Sequence, residues 1–185
     1  MIKSLRKQKV TRIGNRELIV LLLIFIMGFS DSYPSQPPEI HLITSITGKE
    51  EGVEFGNVIS SAGDVNGDGY DDIVVSGLNY YKEIGEVYVY LGGYLMDSKP
   101  DIVLHWDESS ATKGDLFGAS LTSGDVNGDG FSDIIVGAPH SEIEGIPGAG
   151  KVGIYFGGQK MDSLPDVILS NVDYNIYYTW FGSSV

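Results

Sequence analysis

The sequence of 185 residues contains no cysteine. This absence excludes a disulfide-stapled scaffold, a zinc site built on thiolates and a catalytic cysteine nucleophile. Basic residues are also scarce, since 12 lysines and arginines stand against 25 aspartates and glutamates, for a formal net charge of −13. A protein that binds nucleic acid needs a basic surface, and this chain has too few cations to build a large one.

Half of the basic residues lie in the first 32 positions, ahead of a short apolar run. Residues 18–29 are almost wholly apolar, and the small or polar residues Ser30 and Ser32 follow. This arrangement is typical of a secretory signal peptide, so residues 1–32 are predicted to be one, with cleavage near Ser30 or Ser32. The alternative is an uncleaved anchor, although a membrane-spanning helix needs about 20 apolar residues. The protein is therefore expected to be secreted or to lie at the cell surface.

Three sequence markers recur, and the first two of them set a repeat length of 62 to 65 residues. A proline followed by an acidic and an aliphatic residue stands at positions 38, 100 and 165, and Phe-Gly stands at 55, 117 and 181. The heptapeptide Gly-Asp-Val-Asn-Gly-Asp-Gly occupies both 63–69 and 124–130. These markers define one repeat at about residues 38–99, a second at about 100–164, and the opening of a third at 165–185.

Each repeat is predicted to form four short strands and no helix. In the first repeat, residues 55–61, 72–76 and 86–91 are predicted strands, and the last of these alternates between apolar and aromatic residues. The proline-acid-aliphatic segments at 39–43 and 101–105, and residues 151–156, are also predicted strands. Four antiparallel strands per repeat with glycine-rich turns are typical of a β-propeller blade. The predicted fold is all-β, an incomplete ring of about two blades plus the start of a third.

An acidic loop within each repeat is the predicted metal site. Oxygen-bearing side chains stand at positions 1, 3, 5 and 9 of the loop, and a backbone carbonyl is available at position 7. Calcium takes six to eight oxygen ligands, and glycine allows the tight bend that brings them together. The predicted calcium ligands are Asp64, Asn66, Asp68, Tyr70 and Asp72 in the first repeat, and Asp125, Asn127, Asp129, Phe131 and Asp133 in the second.

The loops are not EF-hands. An EF-hand has a glutamate at position 12 and helices on either side, whereas this chain has Val75 and Val136 at that position and predicted strands as flanks. The other interpretation is a pair of Asn-Gly and Asp-Gly hairpin turns that bind no metal. The exact duplication of the heptapeptide favours the calcium interpretation.

These motifs resemble the FG-GAP repeat of the integrin alpha-chain β-propeller and of many secreted bacterial proteins. The resemblance rests on the order of Phe-Gly, the acidic heptapeptide and, in the second repeat, Val136-Gly137-Ala138-Pro139. It extends over about residues 38–185 and implies a propeller, usually seven-bladed, with calcium in the hairpin loops of some blades. The first repeat departs from the pattern, because Val75-Ser76-Gly77-Leu78 stands in place of the Gly-Ala-Pro segment.

The expected function is a calcium-binding, non-catalytic module for extracellular interaction or cell adhesion, with an extracellular protein or glycan as partner. The alternative is the propeller part of a secreted enzyme, such as a hydrolase or phospholipase, with its catalytic domain elsewhere. No nucleophile–base pair is visible in the sequence, which favours the non-catalytic reading. Because blades bury their apolar faces against neighbouring blades, the two-blade chain is expected to need the remaining blades of a longer chain and to self-associate without them.

Overall fold

A computed structural model describes residues 11–12, 18–21, 44–48, 53–79, 84–94, 96–106, 114–171 and 178–185. Over these residues the secondary structure consists of β-strands. No described segment forms a helix of the length and apolar character needed to cross a bilayer. The predicted cleavage positions Ser30 and Ser32 and the predicted strand at 39–43 lie outside the described residues, so cleavage of a signal peptide stays a prediction.

The amino-terminal part contributes a small antiparallel sheet. Its strands are β1 (Thr11–Arg12), β2 (Leu18–Leu21) and β3 (Ser45–Ile46). Strand β2 lies between the other two and pairs with β3 through Val20 opposite Ile46 and Leu21 opposite Ser45.

Two four-stranded antiparallel sheets form the body of the protein, and we call them blade 1 and blade 2. Blade 1 contains β4 (Val53–Gly63), β5 (Asp72–Asn79), β6 (Ile84–Tyr90) and β7 (Ile102–Leu104), in that order across the sheet. Blade 2 contains β8 (Ser120–Gly124), β9 (Asp133–Ala138), β10 (Lys151–Tyr155) and β11 (Val167–Ser170), also in chain order. The prediction of an all-β fold built from propeller blades is confirmed, and the two sheets do not close into a ring.

The fourth strand of each blade comes from the start of the following repeat. Strand β7 follows Pro100 and pairs with β6, with Leu104 opposite Val87. Strand β11 follows Pro165 and pairs with β10 in the same way, with Leu169 opposite Val152. The sheets are therefore shifted along the chain by one strand relative to the sequence repeats.

Both faces of blade 1 are buried, because its strands alternate between two hydrophobic clusters. Val74, Val87 and Val89 face the larger cluster, which lies between the blades and includes residues of blade 2 such as Phe117 and Ile134. The opposite face forms the smaller cluster, whose members are Ile46, Phe55, Val75 and Tyr90. This alternation is the period of two that a strand imposes on its side chains.

Blade 2 buries one face against blade 1 and leaves much of the other open. Ile134 is fully buried between the blades, whereas Ile135 and Ile154 on the other face are only half-buried. The contrast is clearest at the fourth strands, where Leu104 of blade 1 is 0% exposed and its counterpart Leu169 is 44% exposed.

The second and third Phe-Gly dipeptides each pack on the blade that precedes them. A Cβ atom on Gly85 in β6 would overlap the backbone carbonyl of Phe117, and a Cβ atom on Gly150 would overlap that of Phe181 in the same manner. The hydroxyl of Ser120 also donates a hydrogen bond of 2.8 Å to the Gly182 carbonyl. The opening of the third repeat is therefore seated on blade 2 as the second repeat is seated on blade 1.

Candidate metal-binding loops

In each blade, one loop connects the first strand to the second, and the two loops are equivalent. Loop 1 comprises residues 64–71, between β4 and β5, and loop 2 comprises residues 125–132, between β8 and β9. Gly67 and Gly69 of loop 1 have φ values of 76° and 90°, in the left-handed region that side chains with a Cβ atom seldom enter. The equivalent glycines of loop 2 have φ values of 79° and 93°. The Asn-Gly and Asp-Gly pairs thus give both loops the same backbone path.

The first aspartate of each loop organises the turn around its carboxylate. Asp64 Oδ1 accepts hydrogen bonds from the amides of Gly67 at 2.7 Å and Asp68 at 3.0 Å. Asp64 Oδ2 accepts a third from Gly69 at 2.8 Å. In loop 2, the Asp125 carboxylate accepts hydrogen bonds from the amides of Gly128, Asp129 and Gly130 at 2.7, 3.1 and 3.0 Å.

The next two predicted ligands are hydrogen-bonded to each other. The amide nitrogen of the Asn66 side chain donates to Asp68 Oδ2 at 3.0 Å, and the Asp68 backbone amide donates to Asn66 Oδ1 at 2.9 Å. Asp68 Oδ1 accepts a hydrogen bond from the Tyr70 amide at 2.9 Å. The same three bonds join Asn127, Asp129 and Phe131 in loop 2, each at 2.9 Å. Side chains 3 and 5 are therefore in contact in each loop, and the carboxylate at position 1 accepts a hydrogen bond from the backbone amide at position 5.

The aspartate at position 9 is placed differently from the other predicted ligands. Asp72 is buried, and its two carboxylate oxygens accept hydrogen bonds from the Val65 amide at 2.8 Å and the Gly92 amide at 2.6 Å. Asp133 repeats this arrangement with the amides of Val126 at 2.8 Å and Gly157 at 2.9 Å. In both blades this carboxylate ties the loop to the glycine pair that follows the third strand.

Negative charge accumulates in loop 1 without basic residues nearby in the sequence. No lysine or arginine occurs between residues 50 and 81. Burial raises the pKa of Asp72 above its ordinary value, and its two backbone hydrogen bonds partly oppose that rise. The neighbouring charges of Asp68 and Asp64 raise the pKa further. A bound cation would offset this repulsion.

The donor chemistry of the loops fits calcium. Carboxylate, amide and carbonyl oxygens are the ligands that this hard cation takes. Each oxygen of the Asp68 carboxylate accepts one hydrogen bond and keeps a lone pair. Within the described part of the chain, no group of three or more acidic or histidine side chains lies close enough together to hold a metal ion. This finding agrees with the placement of Asp72 and Asp133, which face backbone amides. The side chains at positions 1, 3 and 5 are less buried than the aspartate at position 9 in each loop.

Sequence reasoning missed that other repeated acids have structural roles. Asp101, in the proline-acid motif, accepts a hydrogen bond from the Leu91 amide at 2.8 Å, and Asp166 accepts one from the Phe156 amide at 2.7 Å. Each anchors the strand in the fourth position to the end of the third. Their recurrence at the repeat spacing was the available signal, because a side chain that satisfies the same backbone amide in each blade must recur with it.

Comparison with known proteins identifies the repeat. The family model of the FG-GAP repeat matches residues 55–90 and 117–155. The chain is 37% identical over 124 residues to integrin alpha-PS2 of Drosophila melanogaster, which covers 62% of this chain and 8% of that protein. It is 39% identical over 117 residues to integrin alpha-3 of Mus musculus, covering 60% of this chain and 10% of the relative.

A longer alignment is found with integrin alpha-5 of Xenopus laevis. It has 34% identity over 142 residues and covers 71% of this chain and 13% of the relative. This chain thus spans about a tenth of the length of the curated relatives that it matches. Family match, integrin similarity and blade architecture agree, and the protein is an FG-GAP repeat protein that resembles the integrin alpha-chain β-propeller.

Proposed function

We propose that this protein is a calcium-stabilised, non-catalytic propeller module that serves extracellular interaction or adhesion. The observation that carries the proposal is the duplicated loop, in which the same carboxylates accept the same amide hydrogen bonds in two FG-GAP repeats. A turn needs no such cluster of acidic side chains, whereas calcium requires several oxygen donors on a short, glycine-bent segment.

The chain's own residues define the proposed sites. Asp64, Asn66 and Asp68 would hold the ion in loop 1, and Asp125, Asn127 and Asp129 would hold it in loop 2. The backbone carbonyls of Tyr70 and Phe131 remain proposed ligands. Asp72 and Asp133 are the remaining two of the ten proposed ligands, and their hydrogen bonds to backbone amides hold each loop against the glycine pair after the third strand. When bound, calcium would supply the positive charge that the loop lacks.

The adhesion role is supported by the similarity to integrin alpha chains and by the sequence of the amino terminus. The partner class is an extracellular protein or glycan, and the location is secreted or cell-surface. Residues 1–32 are proposed as the export signal because of their basic head and apolar run. No catalytic role is proposed, because the sequence offers no nucleophile–base pair.

Calcium should stabilise the folded chain. Extracellular calcium modules have dissociation constants of about 10⁻⁴–10⁻³ M, so a tenfold excess of calcium over that constant should add about 1.4 kcal/mol per site to the free energy of unfolding. Thermal and urea unfolding of chelator-treated protein, repeated with millimolar calcium, measures this increment. The double variant Asp68→Ala/Asp129→Ala should lose most of it.

The matched control is Asp71→Asn, which removes an exposed charge at the last position of loop 1 without changing a proposed ligand. This variant should keep the full calcium increment. For each variant, the quantity compared is the gain in unfolding free energy from chelator to calcium. The absolute stability is not compared, because Asp68→Ala also removes hydrogen bonds within the loop. A wild-type melting curve that calcium leaves unchanged, together with no heat in calorimetry, would contradict the proposed function.

A further inference from the structure

The two loops share one sequence and one internal hydrogen-bond pattern, but their surroundings differ. The valine after the first aspartate shows this most clearly: Val65 of loop 1 is 0% exposed, whereas Val126 of loop 2 is 53% exposed. Val65 belongs to the hydrophobic cluster between the blades. Loop 1 is therefore part of the interface between blade 1 and blade 2, and loop 2 lies on the open side of blade 2.

Backbone hydrogen bonds from blade 2 hold the two residues at the start of loop 1. The Ser132 amide donates to the Asp64 carbonyl at 3.0 Å, and the Gly158 amide donates to the Val65 carbonyl at 2.7 Å. Just before the loop, the Ser123 hydroxyl donates to the Ser61 carbonyl at 2.9 Å. Asp64 is the proposed ligand whose carboxylate organises the whole turn, so blade 2 fixes the backbone from which that side chain projects.

A side chain of blade 2 also covers loop 1. A Cβ atom on Gly67 would overlap the Phe131 ring, whereas a Cβ atom on the equivalent Gly128 of loop 2 would have no neighbour within 4 Å. The same contrast holds at the preceding loop boundary, where a Cβ atom on Gly63 would overlap the Ser132 side chain and one on Gly124 would have no neighbour within 4 Å. Blade 2 thus contacts loop 1 at Gly67 and the residue before the loop at Gly63.

We propose that blade 2 preorganises loop 1 for calcium, so that in the 185-residue chain the two loops of identical sequence are unequal sites and loop 1 is the tighter one. This inference rests on the proposed calcium binding. A loop that is already held in its binding conformation loses less conformational freedom when the ion binds. Ser132, Gly158 and Phe131 are then positioning residues for loop 1, although they lie in another blade.

The coupling must act in both directions. If docking of blade 2 raises the calcium affinity of loop 1, calcium in loop 1 strengthens the joint between the blades by the same factor. Coupling between two sites of a protein is typically about 5-fold to 150-fold in affinity. Loop 1 should accordingly bind calcium at least about 5-fold more tightly than loop 2.

The first experiment separates the two sites in the 185-residue chain. Calcium titration calorimetry on Asp129→Ala reports loop 1, and the same titration on Asp68→Ala reports loop 2. The inference requires the dissociation constant of Asp129→Ala to be at least about 5-fold smaller than that of Asp68→Ala. Equal constants, or a tighter loop 2, would overturn the inference and leave the proposed calcium function intact. No binding heat in either variant would overturn both.

The second experiment tests whether blade 2 causes the difference. Gly67→Ala and Gly128→Ala, each made in the background that reports its own loop, introduce the same methyl group at φ values of 76° and 79°. The backbone strain is therefore matched, and only Gly67→Ala meets the Phe131 ring. Gly67→Ala should weaken calcium binding in loop 1 by a larger factor than Gly128→Ala weakens it in loop 2. Equal factors would show that blade 2 does not position loop 1.

A third variant tells whether Gly67→Ala weakens calcium binding through the Phe131 ring or only because the protein no longer folds. Removing the ring with Phe131→Ala should weaken calcium binding in loop 1 toward the value of loop 2, and combining it with Gly67→Ala should produce no further loss through overlap. Melting in chelator, followed by far-ultraviolet circular dichroism, reports whether each variant is folded before calcium is added. If Phe131→Ala leaves the affinity of loop 1 unchanged, the proposed positioning role of the ring is wrong.

Discussion

At the scale of single residues, the repeated aspartates do two different kinds of work. Those at positions 1 and 5 of the loops accept hydrogen bonds from backbone amides within the loop and are the proposed calcium ligands. Asp72 and Asp133 are buried and lock the loop to the glycine pair after the third strand. The aspartates at all three positions look alike in the sequence, because spacing alone does not tell an exposed carboxylate from a buried one that accepts hydrogen bonds from backbone amides.

Loss of a position-9 carboxylate should destabilise the fold even without calcium. Asp133→Ala leaves the partly buried amides of Val126 and Gly157 without their acceptor, and hydrogen bonds to a charged group contribute about 1.5–3 kcal/mol each. The free energy of unfolding in chelator should fall by about 3 kcal/mol. Urea denaturation measures it, with Asp162→Ala as a control at an exposed acid. Equal losses in the two variants would contradict the assigned structural role.

Alkaline pH should weaken the fold through Tyr90. Burial raises its pKa to about 12, and the charge of Asp101 contributes. An unfolded tyrosine titrates near pH 10, so between about pH 10 and 12 the unfolded chain loses a proton that the folded chain keeps. Stability contributed by neutral Tyr90 is therefore present below pH 10 and is lost as pH rises toward 12.

Urea denaturation at pH 9, 10.5 and 11.5 measures that decline. Tyr90→Phe should make the decline shallower, whereas Tyr94→Phe should leave it unchanged because Tyr94 is exposed. Parallel pH profiles for wild type and Tyr90→Phe would show that this side chain does not control alkaline stability.

At the scale of strands and loops, the sequence was sufficient to predict individual strands and loops. It was insufficient to predict the contacts between the two blades. The alternation in residues 86–91 and the duplicated heptapeptide correctly predicted strand β6 and the two loops, because both signals are local. The hydrogen bond from Ser132 to Asp64 joins residues of different blades. Such a contact depends on how two sheets dock, and one sequence contains no pattern that specifies it.

The joint between the blades should be sensitive to a single methyl group in β6. Gly85→Ala places a Cβ atom against the Phe117 carbonyl, and overpacking of this kind typically destabilises by about 1–3 kcal/mol. Gly124→Ala is a matched control, because Gly124 also lies in a strand and its Cβ atom would have no neighbour within 4 Å. In thermal unfolding, Gly85→Ala should melt at a lower temperature than Gly124→Ala.

Gly124→Ala should be neutral or slightly stabilising, because alanine restricts the unfolded chain more than glycine does. If Gly85→Ala melts at the same temperature as this control, Phe117 does not pack against β6 as described.

At the scale of the whole molecule, the open face of blade 2 governs behaviour in solution. Val126 and Leu169 are 53% and 44% exposed on this face, while their counterparts in blade 1 are fully buried by blade 2. Exposed apolar surface of this kind promotes association. We expect the 185-residue chain to self-associate, as size-exclusion chromatography with light scattering would show.

Polar substitutions on the open face should reduce that association. The variant Val126→Thr/Leu169→Thr removes apolar surface there, whereas Tyr94→Ser removes a residue of blade 1 that is 89% exposed. The first variant should shift the distribution toward monomer, and the second should not. A wild-type chain that elutes as a single monomeric species over a wide concentration range would disprove this expectation.

The one-strand shift between sequence repeat and sheet has a consequence for how such chains can lengthen. Because β7 and β11 each arise from the unit that follows their blade, a copied unit of 62 to 65 residues would finish the sheet before it and begin the next. Tandem duplication then leaves every interior sheet with four strands wherever the copied segment starts. A gene segment swapped between two such proteins at Pro100 would instead produce a hybrid sheet, with three strands from one parent and the fourth from the other.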